Sequence, residues 1–206
     1  MQLSMYEILV PTANRLLGSI GKFLDKGAAF AERKEIEPGV LLNGRLAPDM
    51  FAFTRQVQVA CDMVKGAAAR LSGTEIPKFE DNETTVAELK ARIAKTLDFI
   101  NGIPAAKYTG SEDRDITVVT RRGDLKFKGL DYLRDFVLPN LYFHATSAYA
   151  ILRHNGVELG KGDFLGGYGA RGADATEASS ARLDRRFQAV QGGRPADVGS
   201  RHAASA

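Results

Sequence analysis

Tryptophan is absent from this chain, cysteine occurs once and histidine three times in 206 residues. A single cysteine excludes a disulfide framework and every Cys-rich zinc site. Three histidines leave little material for imidazole-based metal chemistry. The longest uncharged run, Phe136 to Leu152, has 17 residues and contains Pro139, Asn140, His144, Thr146 and Ser147. A membrane span needs about 20 mostly apolar residues, so this run reads as a buried helix of a soluble protein. The N-terminus carries Glu7 and no basic segment, so no signal peptide is expected. These absences point to the cytoplasm, where Cys61 would be a reduced thiol packed within a helix. The chain also has no P-loop, no HExxH, no CxxC, no GxSxG and no GxGxxG after a strand. The commonest signatures of nucleotide, zinc-protease and serine-hydrolase chemistry are therefore missing.

What is present begins with an uneven charge. The formal net charge is +3 and the isoelectric point is near 9.0. Residues 168–206 hold six Arg, four carboxylates and no Lys, so residues 1–167 keep 22 basic and 21 acidic side chains. The body is close to neutral, and the excess basicity belongs to an Arg-, Ala- and Gly-rich tail. The expected division is a folded domain over 1–167 and a tail over 168–206 without stable packing. Within the tail, Leu183, Phe187 and Val190 sit at helical spacing, which allows one short helix. The abrupt loss of Lys also fits an altered reading frame or an unusual C-terminal extension. Nucleic-acid binding through the Arg residues is a weak reading, because the folded body carries no matching charge.

Four segments of the body carry helical periodicity. The first runs from Ser4 to Arg33, with Leu16, Leu17, Ile20, Phe23 and Leu24 on its stripe and Pro11 disturbing its early turns. The second follows Leu46 and reaches Leu71, with its start marked by Pro48-Asp49 and its end by Gly73. Its stripe is Met50, Phe53, Val57, Ala60, Cys61, Val64 and Ala68. The third covers Thr84 to Ile100, with Thr85 and Glu88 spaced as a capping box. The fourth covers Leu130 to His154 and stops at Asn155-Gly156. Between the third and fourth, Asp115-Ile-Thr-Val-Val-Thr and Leu125-Lys-Phe-Lys alternate with period two and are joined by Arg121-Arg122-Gly123-Asp124. That pattern predicts a small β-hairpin, in which Arg-Gly-Asp is turn chemistry. The predicted fold is all-α, a four-helix bundle with a small β-hairpin between helices three and four. The stretch Glu35 to Arg45 is long for a bundle connection and is expected to cross one end.

The most informative region is Pro139 to Gly156. His144 lies three residues past Leu141 and four before Ala148, on the core-facing stripe, and Asn140 precedes it by one turn. His154 is ten residues further, about 80° around and roughly 15 Å along the axis. The two histidines therefore cannot share one ion, and His154 reads as a last-turn residue facing the helix dipole. On the second helix, Asp49, Phe53, Gln56 and Ala60 form a row. Asp49 at a helix start is a natural cap. The sharper reading is that Asp49 meets His144 at one end of the core, with Asn140 or Gln56 alongside. Gly156-Val-Glu-Leu-Gly160-Lys161-Gly162 has the wrong spacing for a phosphate loop and reads as the glycine stop of the fourth helix.

Several of these segments resemble a known family. They are Leu46-Ala-Pro-Asp-Met-Phe, Gln56-Val-Gln-Val-Ala-Cys-Asp62, Phe79-Glu-Asp-Asn-Glu-Thr-Thr, Asn140-Leu-Tyr-Phe-His144, Ala148-Tyr-Ala-Ile-Leu-Arg-His-Asn-Gly156 and Gly160-Lys-Gly-Asp-Phe-Leu165. In this order, over about residues 1–167, they resemble the bacterial domain-of-unknown-function family numbered nineteen ninety-three, of the DinB/YfiT-like metalloenzyme superfamily. The resemblance implies a four-helix bundle, commonly dimeric, with a divalent metal on three histidines. One of these comes from the second helix and two from an HxxxH pair on the fourth. Some members are thiol-dependent S-transferases or isomerases. Here His144 matches the second histidine of the pair, Asn140 stands where the first would be, and the second-helix region offers Asp49. A three-histidine site is excluded.

Two readings stay open. One is a DinB-like bundle with a degenerate metal site, binding a small molecule or a partner. The other is a divalent-metal-dependent transferase or hydrolase, with Asp49, Asn140 and His144 holding Zn or Ni weakly.

Overall fold

The computed structural model describes residues 4–120 and 123–166. The expected tail, 168–206, and its helix through Leu183, Phe187 and Val190 lie outside the described residues, as do Arg121 and Arg122 of the hairpin connection.

Helix α1 spans Met5–Arg33. Its first turn is closed reciprocally. Ser4 Oγ accepts from the Glu7 N–H at 3.2 Å and Glu7 Oε2 accepts from the Ser4 N–H at 3.0 Å, which satisfies two donors the helix itself leaves open. The long connection that follows contains a short helix, α2, at Pro38–Leu42, which buries Leu41 and Leu42 against its neighbours α1 and α3.

Helix α3 spans Phe53–Ser72 and so begins later than the Pro48-Asp49 signal predicts. Residues 46–50 form a separate turn, in which the Met50 N–H reaches the Ala47 carbonyl at 3.0 Å. The Phe53 N–H then bonds back to the Gly44 carbonyl at 2.9 Å, and Thr54 Oγ1 to the Leu42 carbonyl at 3.1 Å. These bonds to the preceding segment set where α3 starts, and its cap position, Ala52, has no side-chain cap. At the other end Gly73 takes φ +70°, the left-handed conformation that favours glycine at a helix stop.

Helix α4 spans Val86–Asn101, with the capping box formed as the Thr85/Glu88 spacing predicts. The Glu88 carboxylate accepts from the Thr84 and Thr85 N–H groups, at 2.7 and 2.9 Å, and these bonds hold its pKa below the usual carboxylate range. The hairpin consists of β1, Asp115–Thr120, and β2, Gly123–Lys128, antiparallel with Thr120 opposite Gly123. Gly123 and Asp124 therefore belong to β2 rather than to the connection.

The last long segment is helical from Gly129 but changes winding. After α5, Gly129–Asp131, residues Tyr132–Val137 form a π-helical stretch that leads into α6, Leu138–His154. The Leu138 N–H bonds five residues back to the Leu133 carbonyl. The wider winding falls just where Pro139 can donate no hydrogen bond and its ring would crowd the carbonyl four residues earlier. Gly129 has no room for a side chain, since a Cβ would meet the Ser111 carbonyl oxygen at 1.8 Å. Helix α6 ends in a Schellman arrangement: Val157 N–H to Leu152 O at 3.0 Å and Gly156 N–H to Arg153 O at 3.2 Å, with Gly156 at φ +93°. A short helix α7, Lys161–Leu165, follows. The Asp163 carboxylate pairs with Lys26 of α1 at 2.8 Å.

Among the described residues the architecture is mostly helical, with one two-stranded hairpin. Helix α3 packs against α6, α4 and α1, and α1 also meets α4 and α6. The core they enclose includes Leu16, Ile20 and Phe23 of α1, Val57, Cys61 and Val64 of α3, Leu89 and Ile93 of α4, and Leu141, Ala148 and Ile151 of α6. Burial pushes the Cys61 thiol up to about 12 despite its Thr96 hydrogen bond, so it packs as a small neutral side chain. No helix among the described residues is long and apolar enough to cross a membrane.

Candidate functional site

The α3–α6 contact contains the one pairing between the polar residues singled out in the sequence. His144 is 7% exposed, and its Nδ1 lies 2.7 Å from Gln56 Oε1. Gln56 is itself buried, and its Nε2 donates to the Phe51 carbonyl at 3.1 Å. That second bond orients the amide, so the atom facing the ring is an acceptor and Nδ1 must carry the proton. The lone pair of the imidazole is then on Nε2. Nε2 has no hydrogen-bond partner among the described residues and is not one of their fully enclosed polar atoms. Burial lowers the His144 pKa, and the nearby positive charge of Arg55 lowers it further. The ring is therefore neutral at pH 7.

One aromatic ring lies against this base, and a second lies against the nearby Arg55. Phe143, 56% exposed, stands edge-on to the imidazole at 5.3 Å between centroids. Phe51, 51% exposed, lies under the Arg55 guanidinium, whose Cζ is 6.0 Å from the ring centre. Arg55 uses a single terminal nitrogen, which donates to Gln58 Oε1 at 3.1 Å and pairs with Asp81. Its Nε and second terminal nitrogen make no hydrogen bond among the described residues.

The other sequence candidates sit differently. Asp49 lies in the exposed turn before α3, with no hydrogen bond or ion pair among the described residues. The residue that α3 offers to His144 is Gln56, not Asp49, because the helix begins only at Phe53. Asn140 is half-buried and its Nδ2 donates to the Phe136 carbonyl at 2.6 Å. His154 ends α6, exposed to solvent.

A second polar cluster was not anticipated. The Arg92 side chain is only 2% exposed, and it binds Asp62 and Asp81 at 2.9 Å and Glu83 at 2.8 Å. Its first terminal nitrogen also reaches the Glu80 carbonyl at 3.0 Å. Phe79 lies in the same cluster, with Lys65 and Lys95 ammonium groups each 4.2 Å from its ring centre. Sequence segments 56–62 and 79–85 thus meet through one guanidinium. Asp81 links this cluster to Arg55, and hence to the His144 site.

The chain matches the family described as Domain of unknown function (DUF1993) over residues 5–165. It belongs to the DUF1993 family. A solved structure of a DinB family member protein from Shewanella denitrificans is similar at 42% identity and a TM-score of 0.75, covering 82% of this chain and 95% of that one. Among curated proteins none matches the chain.

The divalent metal that a DinB likeness implies does not fit the donors of this DUF1993 chain. His144 has one free nitrogen, and Gln56 Oε1 is already taken by the other. The Asn140 amide is tied to the backbone through its nitrogen, and an amide oxygen is a weak ligand. Among the described residues no three His, Cys, Asp or Glu side chains are grouped to hold an ion. A site with one imidazole lacks the three protein ligands of catalytic zinc.

Proposed function

We propose that this DUF1993 protein is a DinB-like four-helix bundle of the cytoplasm whose former metal pocket serves as a small-molecule site. The observation that carries the reading is the His144–Gln56 pair. A buried neutral imidazole, fixed in one tautomer by a buried amide, presents Nε2 as a hydrogen-bond acceptor. Phe143 and Phe51 supply exposed rings for an apolar ligand body. The ligand this suits carries an O–H or N–H donor beside an apolar group. His144 would hold that donor, and Gln56 would keep the imidazole from turning. The reading also takes the chain as a homodimer, the assembly that the DinB resemblance implies.

Two measurements test the site. Protein purified without a histidine tag is expected to hold no stoichiometric Zn, Ni or Fe and to keep its unfolding temperature on chelation. One equivalent of metal that disappears in His144→Ala would instead establish the metal-dependent transferase or hydrolase reading. Titration with mandelamide, a neutral aromatic hydroxyl compound, is expected to shift the His144 Nε2 resonance in nitrogen NMR. No shift at saturating mandelamide would remove the small-molecule site.

A further inference from the structure

The Arg55 side chain is the feature of this site that the reading above leaves unused. Arg55 precedes Gln56 on α3, one position from the amide that holds His144. Phe51 connects the two, since its carbonyl accepts from Gln56 and its ring lies against Arg55. The side chain is 41% exposed, and two of its three nitrogens are free of hydrogen bonds among the described residues. A planar guanidinium with unused donors is a carboxylate-binding group. Its present acidic partner, Asp81, also belongs to Arg92, so Asp81 keeps a cation if Arg55 turns to another anion.

We propose that the His144 site selects an organic carboxylate bearing a hydroxyl or amine donor and an apolar body. Arg55 binds the carboxylate, His144 Nε2 accepts the donor's hydrogen, and Phe51 and Phe143 cover the apolar part. The proposal rests on the small-molecule reading of the same site. It adds the charge of the ligand, which the imidazole alone does not specify. Because His144 is neutral, it offers no attraction to an anion. Arg55 is near enough for its charge to lower the His144 pKa, after burial.

The test compares mandelate with mandelamide, which share ring and hydroxyl and differ in charge. In the full chain mandelate is expected to bind about tenfold more tightly, the effect of one hydrogen-bonded charge. Arg55→Gln is expected to remove that advantage, bringing mandelate down to the affinity of mandelamide in the same variant. Asp81→Asn, which frees Arg55, is expected to tighten mandelate binding by about two- to fivefold, the range of an exposed ion pair. Equal affinity for the two compounds in the unaltered protein, or an Arg55→Gln variant that keeps the preference, overturns the carboxylate assignment. The small-molecule site would survive that result, because it fails only if mandelamide does not bind.

Discussion

His144 is a base that its surroundings keep uncharged, and this has a consequence for stability. Its pKa is lowered by burial first and by Arg55 second, so the unfolded chain binds a proton more readily than the folded one. Stability is therefore complete above the unfolded histidine value of about 6.5 and is lost as pH falls through the lower folded value. Urea unfolding across pH 5 to 8 is expected to show this acid-side loss. A His144→Gln variant, which cannot titrate, should lack that part of the slope. An identical slope in both proteins would mean that the imidazole is not held neutral. The residue partner was only half legible in the sequence. Gln56 appears on the right row of the second helix, but so does Asp49. Nothing in the spacing tells which of the two lies within helix α3. Arg55 and Phe51 were not legible at all, because their roles depend on contacts across the start of α3.

At the scale of elements, the Arg92 cluster fastens the irregular segment 79–85 onto α3 and α4. Three carboxylates converge on one buried guanidinium. For Asp81, burial acts to raise the pKa, but Arg55 and Arg92 outweigh it and hold it below the ordinary carboxylate value. Replacing Arg92 with Leu leaves these acids facing one another without their cation. The expected loss is about 3 kcal/mol in urea-induced unfolding, the scale for breaking a buried ion pair. A loss under about 0.5 kcal/mol would show that the cluster is no more than a surface network. Element starts with their own side-chain chemistry were readable in advance, as the Ser4/Glu7 and Thr85/Glu88 boxes show. The start of α3 was not, because bonds to Gly44 and Leu42 decide it. The π-helical turn before Pro139 was equally hidden, since proline announces a disturbance without saying how the backbone absorbs it.

At the scale of the whole molecule, every core residue among the described residues lies between Met5 and Leu159, and the DUF1993 match ends at residue 165. A chain ending at Gly166 is therefore expected to unfold cooperatively at the temperature of the full protein. A drop of more than a few degrees, read by circular dichroism, would assign residues 167–206 a share in the fold. The four long helices, the hairpin and the apolar stripes were determined by the sequence alone, because period, caps and glycine stops act within a few residues. The scarcity of histidine by itself excluded a three-imidazole metal site. The tertiary structure decided which polar side chain faces His144, that Asp49 stays outside helix α3, and that segments 56–62 and 79–85 share Arg92. These pairings bring together residues far apart in the chain, and only the packing of the helices against one another can select them.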